Sequence, residues 1–407
     1  MADALEVPAR VVDLPAARAR FGARADRLVE FLGRQDPLAD EAAAVLDEEP
    51  AQARALERGL AAAAPPRGAA PALRRLLEEA ARLPFWVDLP RCDRAGRLLL
   101  RAGPLGGVVL GARSLAAGYC SPAGNKPLAL SGQLTSGRLA GKRLAETGRF
   151  VVATCSPGGL RPGGLGWQLA LRVRLIHAAV RRLVLASGRW RADLWGAPIN
   201  QHDLVGTTLL FSLEWLDGVR ALGLSVSDEE AEDYLHLWRT SGWITGVDPE
   251  LLPATIAEAR ALRALILATE GPPDDDSRSL VRALVELPRE QARTELERRL
   301  AAAQVQLGYA LLRTLLGSET ADQLALPRTA WRLVVPAARP LVAGIERARA
   351  WVPGVEDLLA AGGRVYWEQA ITGALAGARP TFARPSRLAG AALAARRAAA
   401  ARGQQVC

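Results

Sequence analysis

The stretch Val173-Arg174-Leu175-Ile176-His177-Ala178-Ala179-Val180-Arg181 decides the fold class. It lies between two breaks, Ser156-Pro-Gly-Gly-Leu-Arg-Pro-Gly-Gly164 and Ser187 to Asn200, which delimit a helix of about six turns. At about 100° per residue, Ala170, Val173, Val180 and Val184 share the side of His177. Arg174 and Arg181 fall toward one edge of that stripe.

Outward from this helix, three-to-four-residue apolar spacing recurs along the chain. Ala and Leu are abundant and β-branched residues are comparatively sparse, so the sequence predicts an all-α protein. A helical pattern runs from Ala16 to about Ala64, with Phe21, Leu28, Phe31 and Leu32 on one side, and another from Ala72 to Leu83. Pro65 to Pro71 separates them. Gly103-Pro-Leu-Gly-Gly107 marks a turn or a close helix approach, because neither Gly nor Pro favours a helix interior. Gly271-Pro-Pro-Asp-Asp-Asp276 reads as an acidic, disordered loop. These breaks divide the chain into an N-terminal helical region (1–84), a core (85–270), C-terminal helices packing on it (271–388) and a basic, disordered tail (389–407).

The formal charge is +9, but only Lys126 and Lys142 are lysines, so 50 of the 52 basic residues are arginine. They are spread along the chain and mixed with acids, which speaks against a nucleic-acid surface. The four cysteines, Cys92, Cys120, Cys155 and Cys407, form no CxxC pair and no covalent haem-attachment motif. No stretch approaches the ~20 apolar residues of a bilayer span, the nearest being Leu105 to Ala112. With acids and prolines between Met1 and Leu14 instead of a secretory signal, the expected location is the cytoplasm.

The candidate chemistry rests on few residues. His177, on an apolar face flanked by Arg174 and Arg181, matches the shape of a haem: an iron that takes a neutral imidazole, an apolar macrocycle, and two carboxylates at one edge. A core histidine bonded to a backbone carbonyl leaves the same signature. His202, in Pro198-Ile-Asn-Gln-His202-Asp203, reads as part of a turn or cap. His236 shares its helical face with Glu232 and Arg239, which suggests an ion network. Arg143, Glu146 and Thr147 stand at i, i+3 and i+4 and converge on one face. That face is either solvated or, buried over a haem, supplies a cation, a carboxylate base and a hydroxyl.

Several of these pieces, taken in order, resemble the latex-clearing protein (rubber oxygenase) family and its relatives, which include the prenyl-chain-cleaving oxygenase of mycophenolic acid biosynthesis. The pieces are Lys126-Pro-Leu, Arg143-Leu-Ala-Glu-Thr147, the glycine-rich turn before Gly166, Val173 to Arg181, Gly196-Ala-Pro-Ile-Asn-Gln201 and Tyr234-Leu-His-Leu-Trp-Arg239, between about Trp86 and Pro253. The resemblance implies a globin-like helical core holding non-covalent haem b. His177 would be the proximal ligand, Arg174 a supporting residue, and Arg143 and Thr147 distal residues. It further implies a haem-dependent oxygenase using dioxygen on an isoprenoid double bond. Two departures qualify it: Glu146 stands where rubber oxygenases carry a distal lysine, and the secretion signal suited to an extracellular polymer is absent. A small apolar isoprenoid or lipid is therefore the expected substrate. The competing readings are a haem sensor or carrier without turnover and a di-iron hydroxylase, for which the paired Glu-x-x-His motifs are missing.

Overall fold

The computed structural model describes residues 7–131, 137–374, 382–385 and 388. Among these the architecture is all-α, as the periodicity predicts, with one isolated bridge between Val11 and Glu270. The long helical pattern after Ala16 is divided into α1 (Leu14–Phe21), α2 (Ala23–Glu30), α3 (Pro37–Glu48) and α4 (Pro50–Ala62). Gly22 at φ 63° and prolines in the first turns of α3 and α4 make the divisions. Asp36 caps α3 by accepting the Ala39 N–H at 3.2 Å. Helix α5 (Pro71–Ala81) then packs on α3.

Helix α6 (Leu89–Val109) continues through a π-helical segment, Leu110–Leu115, into α7 (Ala116–Tyr119). The Gly103 to Gly107 stretch proves to be both a bend and a close approach. Gly103 takes φ 47° and ψ −125°, and Pro104 has no N–H to continue the ladder, so the helix kinks there. Against this kink lies Gly363 of α20 (Val355–Ala374), where a Cβ would stand 1.7 Å from the Leu100 carbonyl oxygen. By length and composition, Leu89–Tyr119 is long and apolar enough to cross a membrane, which corrects the expectation that no stretch comes close. More than half of its apolar window is buried inside the protein, against α14 (Asp228–Ile244) and α20.

Helices α8 (Lys126–Ser131), α9 (Gly137–Thr154), α10 (Leu165–Ala186), α11 (Ala192–Trp195) and α12 (Gln201–Leu209) follow, then a second π-helical segment, Leu210–Glu214, and α13 (Trp215–Ala221). The quoted stretch lies within α10, bounded as its flanking breaks predict. One continuous apolar core runs from Ala39 in α3 to Trp367 in α20 and includes Trp167, Trp215 and Trp238. Two of these indoles are paired, Trp167 Nε1 donating to the Ala80 carbonyl and Trp215 Nε1 to the Gly106 carbonyl, both at 3.0 Å, whereas Trp238 Nε1 is buried without a hydrogen-bond partner among the described residues.

The remaining helices are α15 (Ile256–Thr269), α16 (Asp275–Gln291), α17 (Glu295–Leu316), α18 (Ser318–Gln323) and α19 (Val334–Trp351), before α20. The acidic 271–276 segment is ordered, contrary to its composition. Asp274 caps α16 by accepting the Ser277 N–H at 2.9 Å, Asp275 and Asp276 occupy its first turn, and Lys126 pairs with both Asp274 and Asp276. The tail expected over 389–407 lies outside the described residues.

Candidate functional site

Several helices surround a cavity of about 350 Å³. Pro127 and Leu128 of α8, Leu144 and Phe150 of α9, and Leu280, Leu284 and Leu287 of α16 give it apolar walls. Leu115 closes the first π segment, and Leu210 and Phe211 open the second. A π turn shifts the register of the residues after it, and both segments meet beside this space. The volume lies within the ~300–1,000 Å³ of cofactor and small-molecule sites.

Val173, Ile176, His177 and Val180 line one wall from α10, so the helical-face reading is right for the histidine and the valines next to it. His177 forms no hydrogen bond with any described residue, and its Nδ1 is buried without a partner. The reading as a core histidine bonded to a carbonyl therefore fails. Burial, with the positive charges of Arg181 and Arg143 nearby, pulls the imidazole pKa down to about 4, so the ring is neutral at pH 7. A neutral, unpaired imidazole is the form that donates to a metal.

Arg174 and Arg181 depart from expectation. Both are buried, neither lines the cavity, and both turn toward α3. Arg174 clasps Asp36 through Nε (2.7 Å) and Nη2 (3.0 Å) and reaches Glu79 of α5 at 3.1 Å. Arg181 gives Nε to Asp40 (2.8 Å) and Nη1 to the Ile199 carbonyl (3.0 Å), leaving Nη2 as one buried donor without a partner. The reading of these two as a cofactor's carboxylate partners is thus corrected: their charges are already answered by protein carboxylates. They hold α10 from behind. Gly246, at φ +87°, completes the clasp, since a Cβ there would stand 2.3 Å from Asp36 Oδ2 and 2.5 Å from Arg174 Nε.

The second predicted constellation does reach the cavity. Arg143, Glu146 and Thr147 all line it from α9, in the same cavity as His177. Arg143 is desolvated, which lowers its pKa, while Tyr119 and Glu146 act on it in the opposite sense. Glu146 also faces Lys142 one turn back, at 3.7 Å.

Other residues at the site escaped sequence reasoning. Tyr119 lines the cavity from the end of α7, and burial raises its phenol pKa. Asp203 lines it from α12, held by both Nη groups of Arg10 (2.8 and 2.9 Å), by His202 Nδ1 (3.1 Å) and by Asn200 Nδ2 (3.0 Å). The Arg10 guanidinium and the His202 contact outweigh burial and hold its carboxyl well below the usual range. Ile199 is a β-branched residue at φ 50°, a strained conformation that puts its side chain in the cavity wall and its carbonyl under Arg181. The adjacent Asn200 caps α12, which fits the turn-and-cap role expected around His202.

His236 is not at the cavity, nor in the expected network with Glu232 and Arg239. Its Nε2 accepts the Asp88 backbone N–H at 3.0 Å, and its ring stands edge-on to Trp86, over which Arg239 lies at 4.0 Å.

Known proteins resemble this chain in sequence and fold. The family described as ER-bound oxygenase mpaB/B'/Rubber oxygenase, catalytic domain, matches residues 100–347, reaching well past the motif-bearing stretch into α19. The rubber oxygenase of Streptomyces sp. (strain K30) is 29% identical over 197 residues, 48% of each sequence, so the chain aligns with about half the length of that relative. A solved structure of latex clearing protein LCP in the closed state superposes with a TM-score of 0.59 at 26% identity, covering 83% of this chain and 91% of that one. With more than half of its length matching, including the helices that carry His177, Arg143 and Thr147, the chain belongs to the mpaB and rubber oxygenase catalytic-domain family.

Proposed function

We propose that the protein is a haem b-dependent oxygenase that uses dioxygen on a small apolar substrate, of isoprenoid or lipid-like character, carrying an electron-rich double bond. The observation that carries this reading is His177: an uncharged imidazole in a largely apolar cavity, with no hydrogen-bond partner and with a guanidinium, a carboxylate and a hydroxyl from α9 lining the same cavity. Membership of an oxygenase family supports the reaction class, and the names of the relatives support a polyisoprenoid-like chemistry.

The residues present fit the cofactor. His177 would hold the iron, and the aliphatic walls suit a macrocycle. When bound, haem b supplies a place for dioxygen and the electrons that activate it. The chain's own contribution is then polarity and exclusion. Arg143 keeps a positive charge in a desolvated wall, Thr147 offers a hydroxyl donor, and Glu146 is placed to accept or return a proton. Phe150, Phe211 and the leucines of α16 keep water from an apolar substrate.

Absorbance spectra of the purified protein, oxidised, reduced and carbon monoxide-bound, test this reading. A Soret band that shifts with carbon monoxide and disappears in His177→Ala is expected. Protein expressed with ample haem that shows no such band, or a band untouched by His177→Ala, overturns it. A haem sensor or carrier would give the same spectra, but no oxygen uptake with isoprenoid or fatty-acid extracts.

A further inference from the structure

Tyr119, at the end of α7, brings a phenol to the cavity from outside α9 and α10. Its ring packs with Leu128 and Leu144 against Leu280 and Leu287, all of which line the cavity, so the hydroxyl belongs to an aliphatic wall. A phenol in such a wall has lost water and needs a partner. The two core tyrosines show other outcomes. Tyr309 gives its hydroxyl to Glu286 at 2.8 Å, and Tyr234 stacks on Trp215 with its hydroxyl closed off in the core. The Tyr119 hydroxyl makes no hydrogen bond with any described residue, yet it is not closed off as that of Tyr234 is.

The residue is fixed in place. Buried Asn125 donates through Nδ2 to the Tyr119 carbonyl at 3.1 Å and to Ser277 Oγ at 3.0 Å, which ties the end of α7 to the first turn of α16. Burial raises the phenol pKa, so the group is protonated at neutral pH and acts as a donor, while the positive charge of Arg143 acts in the opposite sense and polarises the O–H bond. A single donor in an aliphatic wall matches a ligand that is apolar except for one acceptor. A hydrocarbon chain lying there covers the hydroxyl and leaves it unpaired, whereas a ligand oxygen restores the hydrogen bond lost with water.

We propose that Tyr119 determines specificity, selecting an oxygen-bearing isoprenoid or lipid, whose carbonyl or hydroxyl oxygen accepts the phenol O–H, over a pure hydrocarbon chain. What becomes of the bound molecule rests on the oxygenase reading; the discrimination itself is a property of binding. It sets the ligand oxygen beside the leucines of α16 and leaves the groups of α9 to dioxygen and the proton.

The test is equilibrium dialysis of the full-length protein, purified from cells supplied with haem, against geranylacetone, an acyclic isoprenoid ketone, and β-farnesene, an isoprenoid hydrocarbon of similar length. Tyr119→Phe keeps the ring and removes only the hydroxyl. It is expected to weaken ketone binding about tenfold and to leave β-farnesene bound as well as before or better, which also shows that the variant is folded. A change in the ratio of the two dissociation constants below about threefold overturns the proposal, whether neither ligand or both lose affinity, and in the latter case the ring is a packing element. Failure of the wild type to bind the ketone overturns it too. If the ratio holds and the oxygenated ferrous form decays faster in Tyr119→Phe, the hydroxyl serves dioxygen instead. The Soret band of the same samples is read separately: its absence defeats the oxygenase reading, while the dialysis ratio still decides the role of Tyr119.

Discussion

His177 and His236 are shifted alike and used differently. Burial pulls both imidazoles down to about 4, with neighbouring arginines adding to the effect in each case. His236 has a partner for its neutral lone pair, the Asp88 N–H at the start of α6, and an aromatic edge beside it. His177 has neither and faces a cavity. A displaced pKa therefore does not separate the functional histidine from the structural one. Hydrogen-bond accounting does, because a buried polar atom left unpaired costs free energy unless something else takes it.

The largest effect on stability is expected behind His177 rather than at it. Arg174→Ala leaves Asp36 buried opposite a void, and breaking a buried pair from one side costs about 3–5 kcal/mol. Denaturant unfolding at neutral pH should show it. A loss below about 1 kcal/mol would mean that α10 is not held from the α3 side, and the contrast between the two histidines would lose its scaffold.

His236 should show itself next, through pH. Folded, the imidazole takes a proton only near pH 4; unfolded, near 6.5. Between those values the unfolded chain binds more protons, so stability falls as pH is lowered through the window, and nothing is lost above it. The full window corresponds to about 3 kcal/mol. His236→Gln keeps an acceptor for the Asp88 N–H and cannot titrate, so its stability should change less between pH 7 and pH 4.5, by about 2 kcal/mol. Parallel pH profiles for wild type and variant would place the proton elsewhere.

Much of this was legible in the sequence, and the failures share a cause. The bounds of α10, the convergence of Arg143, Glu146 and Thr147, and the cavity-facing side of His177 are local matters of helical spacing. Arg174 and Arg181 were misassigned because residues at the edge of a stripe can turn either way. What turns them is Asp36 and Asp40, some 140 residues earlier in the chain. Tyr119 and Asp203 reach the cavity beside two π segments that no apolar periodicity announces. The 271–276 segment looked disordered by composition, yet its aspartates serve a helix cap and Lys126. The order of separated motifs carried the family, because it samples the fold at many points.

His177 itself should matter little to stability. The ring has no hydrogen bond to lose, so His177→Leu is expected to change unfolding free energy at pH 7 by about 1 kcal/mol or less, while abolishing the Soret band. A loss of several kcal/mol would show that the ring is packed as a core residue, and would make it a second His236.

The smallest effect belongs to the third surface of the same helix. Arg172 lies two residues before Arg174 and binds Glu57 through both Nη groups, at 2.7 and 2.6 Å, a geometry as good as the Arg174 clasp. The difference is solvent: Glu57 is more than half exposed, whereas Asp36 is buried. In water the carboxylate left behind is rehydrated, so Arg172→Ala should cost no more than about 1 kcal/mol, less still at high salt. Measured beside Arg174→Ala, it compares one ion pair in two environments on one helix. If the two losses were equal, the stability of this region would come from pairing geometry alone, and burial would not be what fixes the wall on which His177 stands.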